Sequence, residues 1–208
     1  MSNRETPNDV VSFIEQQIDT LLLIQAQSKA LKDRFNKVEK KTWEPSTIAG
    51  EIGFQLTHLL NSIMRHTGNG EILPIGPFEG IDKGLEDESA DVLFNLMSLA
   101  NLSGMDVKQA IMVTLSEDYS SFQESKSPIL KVSNIIIQAG ELWDAIFRRE
   151  GGKPMSRDAD ANEQHIILLF GGIMICLLLL VRDLNVDMYS GFREILIDSG
   201  NTLDRMGV

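Results

Sequence analysis

An all-α helical bundle is the fold class this sequence predicts, on three observations. Apolar residues recur at helical spacing along nearly the whole chain. No run of alternating β-branched residues bounded by hairpin turns appears. The interruptions are short helix-stopping clusters, WEPS at 43–46, TGNG at 67–70 and SKSP at 125–128.

The elements follow in order. The first helix is expected to start after Pro7, with Asn8 or Asp9 as its cap, and to run to about Lys40. Val10, Phe13, Ile14, Ile18 and Leu21 give it an apolar stripe. Trp43, Glu44 and Pro45 interrupt the pattern. Ser46 or Thr47 then caps a second helix, which carries Glu51 and ends near Thr67. Residues 71–84, EILPIGPFEGIDKG, read as a loop, and a loop of that length in a compact chain is more often functional than not. An apolar helix follows the acidic stretch after Gly84, and Asp106 opens another through VKQAIMVTLSEDYSSFQES. The break from Ser125 to Pro128 separates residues 1–125 from residues 126–208, where a second set of helices begins.

The second set repeats the first. Ala-Gly-Glu stands at 49–51 and again at 139–141; HTGNG is echoed by REGGK, and SGMDVKQAIMVTL by LNVDMYSGFREIL. From Gly53 to Asp106 is 53 residues and from Gly140 to Asp187 is 47, a difference that a shorter loop absorbs.

Composition bounds the function. The chain has 208 residues, 43% of them hydrophobic, enough for a buried core, and a net charge of −11. No basic stripe is visible, which argues against nucleic acid as a partner. An acidic protein that handles phosphates needs a divalent cation. Cys176 is the single cysteine, so a disulfide framework is excluded and a reducing compartment is expected. The polar start MSNRETPNDV does not resemble a signal peptide, and a cytoplasmic protein is expected. The run at 166–181, IILLFGGIMICLLLLV, has sixteen apolar positions where a bilayer span needs about 20. Arg182 and Asp183 follow it directly, which suits a central bundle helix or a homodimer seam, with no membrane.

Chemistry concentrates in ESADVLFNLMSLANLSGMD, residues 88–106. Glu88 and Asp91 share one helix face there, a candidate metal-binding edge. Upstream, Glu51, Gln55 and His58 lie at i, i+4 and i+7 on one face of an apolar helix. Two such helices side by side hold oxygen ligands between them, as carboxylate sites in bundles do. The plainer reading of Glu88 and Asp91 is a helix first turn, where acids favour the dipole. For His58, among Leu56, Leu59 and Leu60, it is a core histidine. For Glu141 and Asp144 it is a solvated face. Trp143 and Phe147, at i and i+4, suit core packing or a stack on a base.

This pattern resembles the all-α nucleoside triphosphate pyrophosphatase superfamily, to which MazG and the dimeric dUTPases belong. The family carries Glu-Glu-x-x-Glu on one helix, then Glu-x-x-Asp on the next, before an Asp-capped helix. Glu88 and Asp91 match the second element, ahead of Asp106. Aligned on Gly53, the first element falls on Gly50, Glu51 and Phe54, so one carboxylate remains; aligned on Gly140 it falls on Ile137, Gln138 and Glu141. The second Glu-x-x-Asp, counted back from Asp187, falls on Leu169 and Gly172. The resemblance spans roughly residues 40–208. It implies a MazG-like tandem repeat that folds as a pseudo-dimer, with a degenerate second half. It also implies a Mg²⁺-dependent nucleotide pyrophosphohydrolase, or one using Mn²⁺, that cleaves a nucleoside triphosphate to monophosphate and pyrophosphate. Glu51, Glu88 and Asp91 would be its catalytic metal ligands, with Gln55, His58, Lys83, Asn95 and Glu141 toward the substrate. The other expectation is a catalytically degenerate relative that serves as a nucleotide-sensing or protein-interaction module.

Overall fold

The computed structural model describes residues 7–39, 43–68, 84–117, 127–152 and 162–208. Seven helices and no strand occur among these residues, so the chain is all-α as predicted. They are α1 (Pro7–Phe35), α2 (Pro45–His66), α3 (Gly84–Ser103), α4 (Val107–Glu117), α5 (Pro128–Arg149), α6 (Glu163–Leu184) and α7 (Met188–Arg205).

Three boundaries differ from expectation. α1 begins at Pro7 itself, so Asn8 and Asp9 lie within its first turn rather than capping it. α1 stops at Phe35, short of Lys40, and a turn follows in which Val38 N–H donates to Phe35 O at 2.9 Å. Lys32 folds back onto that turn: its ammonium bonds Glu39 at 2.7 Å and sits 4.2 Å from the Trp43 ring, a charge held by a carboxylate and an aromatic face. At α2 neither Ser46 nor Thr47 is the cap. Pro45 opens the helix with no side-chain cap, and Ser46 N–H instead donates to Glu150 Oε1 at the far end of α5, 3.1 Å away. Pro needs no partner for a missing N–H, so the next free amide is satisfied across the fold.

The packing has an internal correspondence. α2 lies on α3 and α5, α5 on α6, α3 on α7, and α4 on α6, a set left unchanged when α2, α3, α4 are exchanged with α5, α6, α7. α1 stands outside that scheme and lies across α3, α4 and α7. The two interhelical turns match in detail. Gly104 (φ 66°) ends α3 and Asn185 (φ 54°) ends α6, both in the left-handed region that closes a helix. The next amide then reaches back, Met105 N–H to Ala100 O at 2.8 Å and Val186 N–H to Val181 O at 2.9 Å. Asp106 Oδ1 accepts from Gln109 N–H and Asp187 Oδ1 from Ser190 N–H, each at 3.0 Å, so the two predicted Asp caps form.

Residues paired in this way are 81 apart, as Asp187 is from Asp106. Every buried position of α3 has a buried mate on α6 in that register, including Val92 with Ile173, Leu96 with Leu177 and Leu99 with Leu180. α2 and α5 correspond at 83 residues, from Pro45 to Pro128. There Ile52 and Ile135, Leu59 and Leu142, and Ile63 and Ile146 are buried pairs. Gly50 therefore matches Ser133, and the repeated Ala-Gly-Glu string is not the structural correspondence. It is offset by seven residues, two helical turns, a shift that returns each residue to nearly the same helix face and so imitates a repeat.

Small residues set the closest approaches. A Cβ on Gly171 would lie 2.2 Å from Thr114 Oγ1 and 2.5 Å from Ala110 O, so α6 and α4 meet backbone to backbone. A Cβ on Gly191 would lie 2.5 Å from Glu86 O and 3.0 Å from Ala90 Cβ, the matching crossing of α7 on α3. α6 is long and apolar enough to cross a membrane, with a mean hydropathy of 2.5, and 72% of that window is buried inside the bundle. The chain's own helices cover most of it.

Candidate functional site: an acidic turn at the start of α3

α3 begins as the sequence suggests, with Glu86 and Asp87 in its first turn, where the positive end of the helix dipole favours acids. Ser89 Oγ donates to Glu86 O at 3.0 Å and fastens the turn to itself. Glu88 is the next carboxylate. It is 5% exposed, and its mate in the second half is Leu169, also buried. Asp91 is half-buried, and its mate is Gly172. Both acids have partners. The same frame thus accepts an apolar residue at one position and a carboxylate at the other. A buried carboxyl group that the matching half replaces with leucine is a candidate functional group.

The other expected residues are distributed as follows. Glu51 and Gln55 are half-buried on α2, the helix packed on α3. Phe54 between them is 42% exposed. His58 meets the Phe54 ring edge-on, with centroids 4.6 Å apart. Asn95 Nδ2 donates to Asp91 O at 3.0 Å, which ties it to its own helix. Glu141 is exposed on α5, while Asp144 one turn on is buried and pairs with Arg148 at 2.7 Å. Lys83 lies outside the described residues. Trp143 and Phe147 stack nearly parallel at 5.3 Å, and Trp143 Nε1 covers Gly50 on α2. That makes the aromatic pair part of the α2–α5 seam. Among the described residues no three His, Cys, Asp or Glu side chains form a group able to hold a metal ion.

One cavity had no sequence signal. It measures about 420 Å³ and lies at the α6–α7 turn, lined from α1 by Phe13 and Gln17 and from the turn by Arg182, Asn185, Val186 and Tyr189, among others. Its residues come from opposite ends of the chain, so no spacing in the sequence announces it.

Two groups titrate unusually. Burial pushes the Cys176 thiol up to about 11, with Lys131 opposing the shift, and burial together with Asp187 pushes Tyr189 up to about 12. In each case the folded chain keeps a proton that the unfolded chain has lost, so stability falls as pH rises. The loss is expected from pH 9 to about 11 for Cys176 and from pH 10 to about 12 for Tyr189. Urea denaturation at stepped pH should show the decline, with Cys176→Ala removing its lower part and Tyr189→Phe its upper part. A decline unaltered by both substitutions would assign it to other groups.

The chain matches no family model, no curated protein and no solved structure.

Proposed function

We propose that this chain is a MazG-like pseudo-dimer. Its first half engages a nucleoside triphosphate at the acidic turn of α3 and hydrolyses it to monophosphate and pyrophosphate. The observation that carries this reading is the contrast between Glu88 with Asp91 and their mates Leu169 and Gly172. One half keeps carboxylates where the other half manages with an apolar residue and a glycine.

The donors suit Mg²⁺ chemically, because that ion takes hard oxygen ligands. Glu88 and Asp91 would hold it, with Glu51 on the neighbouring helix. Mg²⁺ is commonly bound by one or two protein carboxylates together with substrate phosphates and water. A site without a closed group of three acids therefore suits the cation arriving on a nucleotide. When bound, the ion supplies charge neutralisation and polarises the phosphoryl group. The chain's own part is to fix the phosphates at the N-terminus of α3, whose free amides favour anions, and to offer Glu86 as the base that takes a proton from the attacking water.

A panel of nucleoside triphosphates assayed for pyrophosphate release with Mg²⁺ or Mn²⁺, beside Glu88→Gln, tests the reading. Release that drops about a hundredfold or more in the variant, with helical circular dichroism unchanged, is the expected result. No release from any nucleotide in the panel would defeat it. Phe54 favours a second reading, a nucleotide-sensing or protein-interaction module. It is an exposed aromatic where the family carries a carboxylate, and Gly50 stands at another such position. That reading expects saturable nucleotide binding with no pyrophosphate formed.

A further inference from the structure

The internal correspondence gives the cavity at the α6–α7 turn a control within the same molecule. At the matching α3–α4 turn α1 bonds the turn directly, and the cavity beside Gly104, Met105 and Asp106 is smaller, about 70 Å³. Gln25 Nε2 donates to Met105 O at 3.0 Å, and Asn101 Nδ2 donates to the Gln25 main-chain O at 3.0 Å. That turn carbonyl therefore takes a carboxamide N–H as its partner.

In the second half the mate of Met105 is Val186, which lines the cavity, and among the described residues no α1 side chain bonds its carbonyl. The mate of Asn101 is Arg182, whose guanidinium lies 4.9 Å from the Phe13 ring and bonds Asp183 at 3.1 Å. α1 approaches here with Gln17, and Tyr189 Oη donates to Gln17 Oε1 at 3.0 Å. That bond engages the amide oxygen and leaves the Nε2 hydrogens of this lining residue as donors. Phe13, Leu178, Val181 and Met188 give the lining an apolar wall, and Asn185 and Asp187 complete it. The cavity thus joins an acceptor, an amide donor and an apolar wall within about 420 Å³, space for a small molecule but not for a helix.

We propose that this cavity is a binding site for a small neutral amphiphile ending in a primary carboxamide. The carboxamide N–H donates to Val186 O as Gln25 does to Met105 O, its carbonyl accepts from Gln17 Nε2, and its apolar body lies against Phe13, Leu178 and Val181. A neutral ligand fits because the charged residues of the lining are paired within the protein, Arg182 with Asp183 at 3.1 Å, a carboxylate that Lys131 shares, and Asp187 with Arg193 at 4.0 Å. This site shares no residue with the acidic turn of α3 and stands whether or not that turn hydrolyses nucleotides.

The test is amide-proton NMR of the full chain titrated with benzamide, with benzoate, benzylamine and toluene run in parallel. Saturable shifts confined to the α6–α7 turn and the Phe13–Gln17 turn, produced by benzamide and at least about fivefold weaker for the other three, are expected. Gln17→Ala should weaken benzamide by a similar factor. Gln17→Trp, on the half-exposed face of α1, should fill the space and remove the shifts with the fold intact. Absence of saturable shifts overturns the proposal. So does preference for benzoate, benzylamine or toluene, or a benzamide response untouched by Gln17→Trp.

Discussion

Gly171→Ala is expected to lower the thermal midpoint by about 2–12 °C, and Gly191→Ala by a comparable amount. At Gly171 the added methyl would meet Thr114 Oγ1 at 2.2 Å and Ala110 O at 2.5 Å. The threonine hydroxyl is anchored, because it donates to Ala110 O at 2.8 Å, and a backbone carbonyl cannot turn aside. The two helices must therefore separate. Overpacking of this kind costs about 1–3 kcal/mol. For a chain of this size each kcal/mol moves the midpoint by about 2–4 °C. The comparison is with Gly53→Ala and Gly140→Ala, helical positions with nothing within 4 Å of the new Cβ. There the same substitution should stabilise by about 0.5–1 kcal/mol, because alanine loses less backbone freedom in a helix. Differential scanning calorimetry of the four variants decides the matter. Equal effects at all four sites would mean that the α4–α6 and α3–α7 crossings are looser than described.

Glu88→Leu should lower nucleotide hydrolysis about a hundredfold or more while the chain stays folded. Leu169 shows that a leucine packs at this position of the frame, so the substitution is sterically tolerated. Activity lost with the fold intact is the signature of a group kept for function. Thermal melts and pyrophosphate assays on the same preparations give both readouts. A clear fall in midpoint would assign Glu88 to the structural ion pairing of α3 and would take away the observation on which the proposed function rests.

The helices were legible because their apolar stripes repeat at 3.6 residues and stop at Pro or Gly clusters. The Asp106 and Asp187 caps were legible for a local reason: an acid three residues before a free amide completes its bond within one turn. The end of α1 was not. Lys32 chooses Glu39 and Trp43, and that choice depends on where the α1–α2 connection runs. The start of α2 was misjudged for the same reason, since its first free amide finds Glu150 from another helix. Within the candidate site, Glu88 and Asp91 were legible as neighbours on one face. The sequence shows i and i+3, but not that Glu88 is buried while Asp91 stays partly open.

By itself, then, the sequence determined the all-α class, the Asp caps that begin α4 and α7, and the acidic pair that opens the apolar helix. These depend on residues within one or two turns of each other, where backbone geometry fixes what meets what. Only the tertiary structure decided the true register between the halves, the glycine crossings, the burial of Glu88 and the cavity beside Gln17 and Tyr189. Each of these depends on which helix face meets which neighbour. A helix shifted by two turns keeps its face and its pattern while changing every partner, so the pattern alone cannot carry that information.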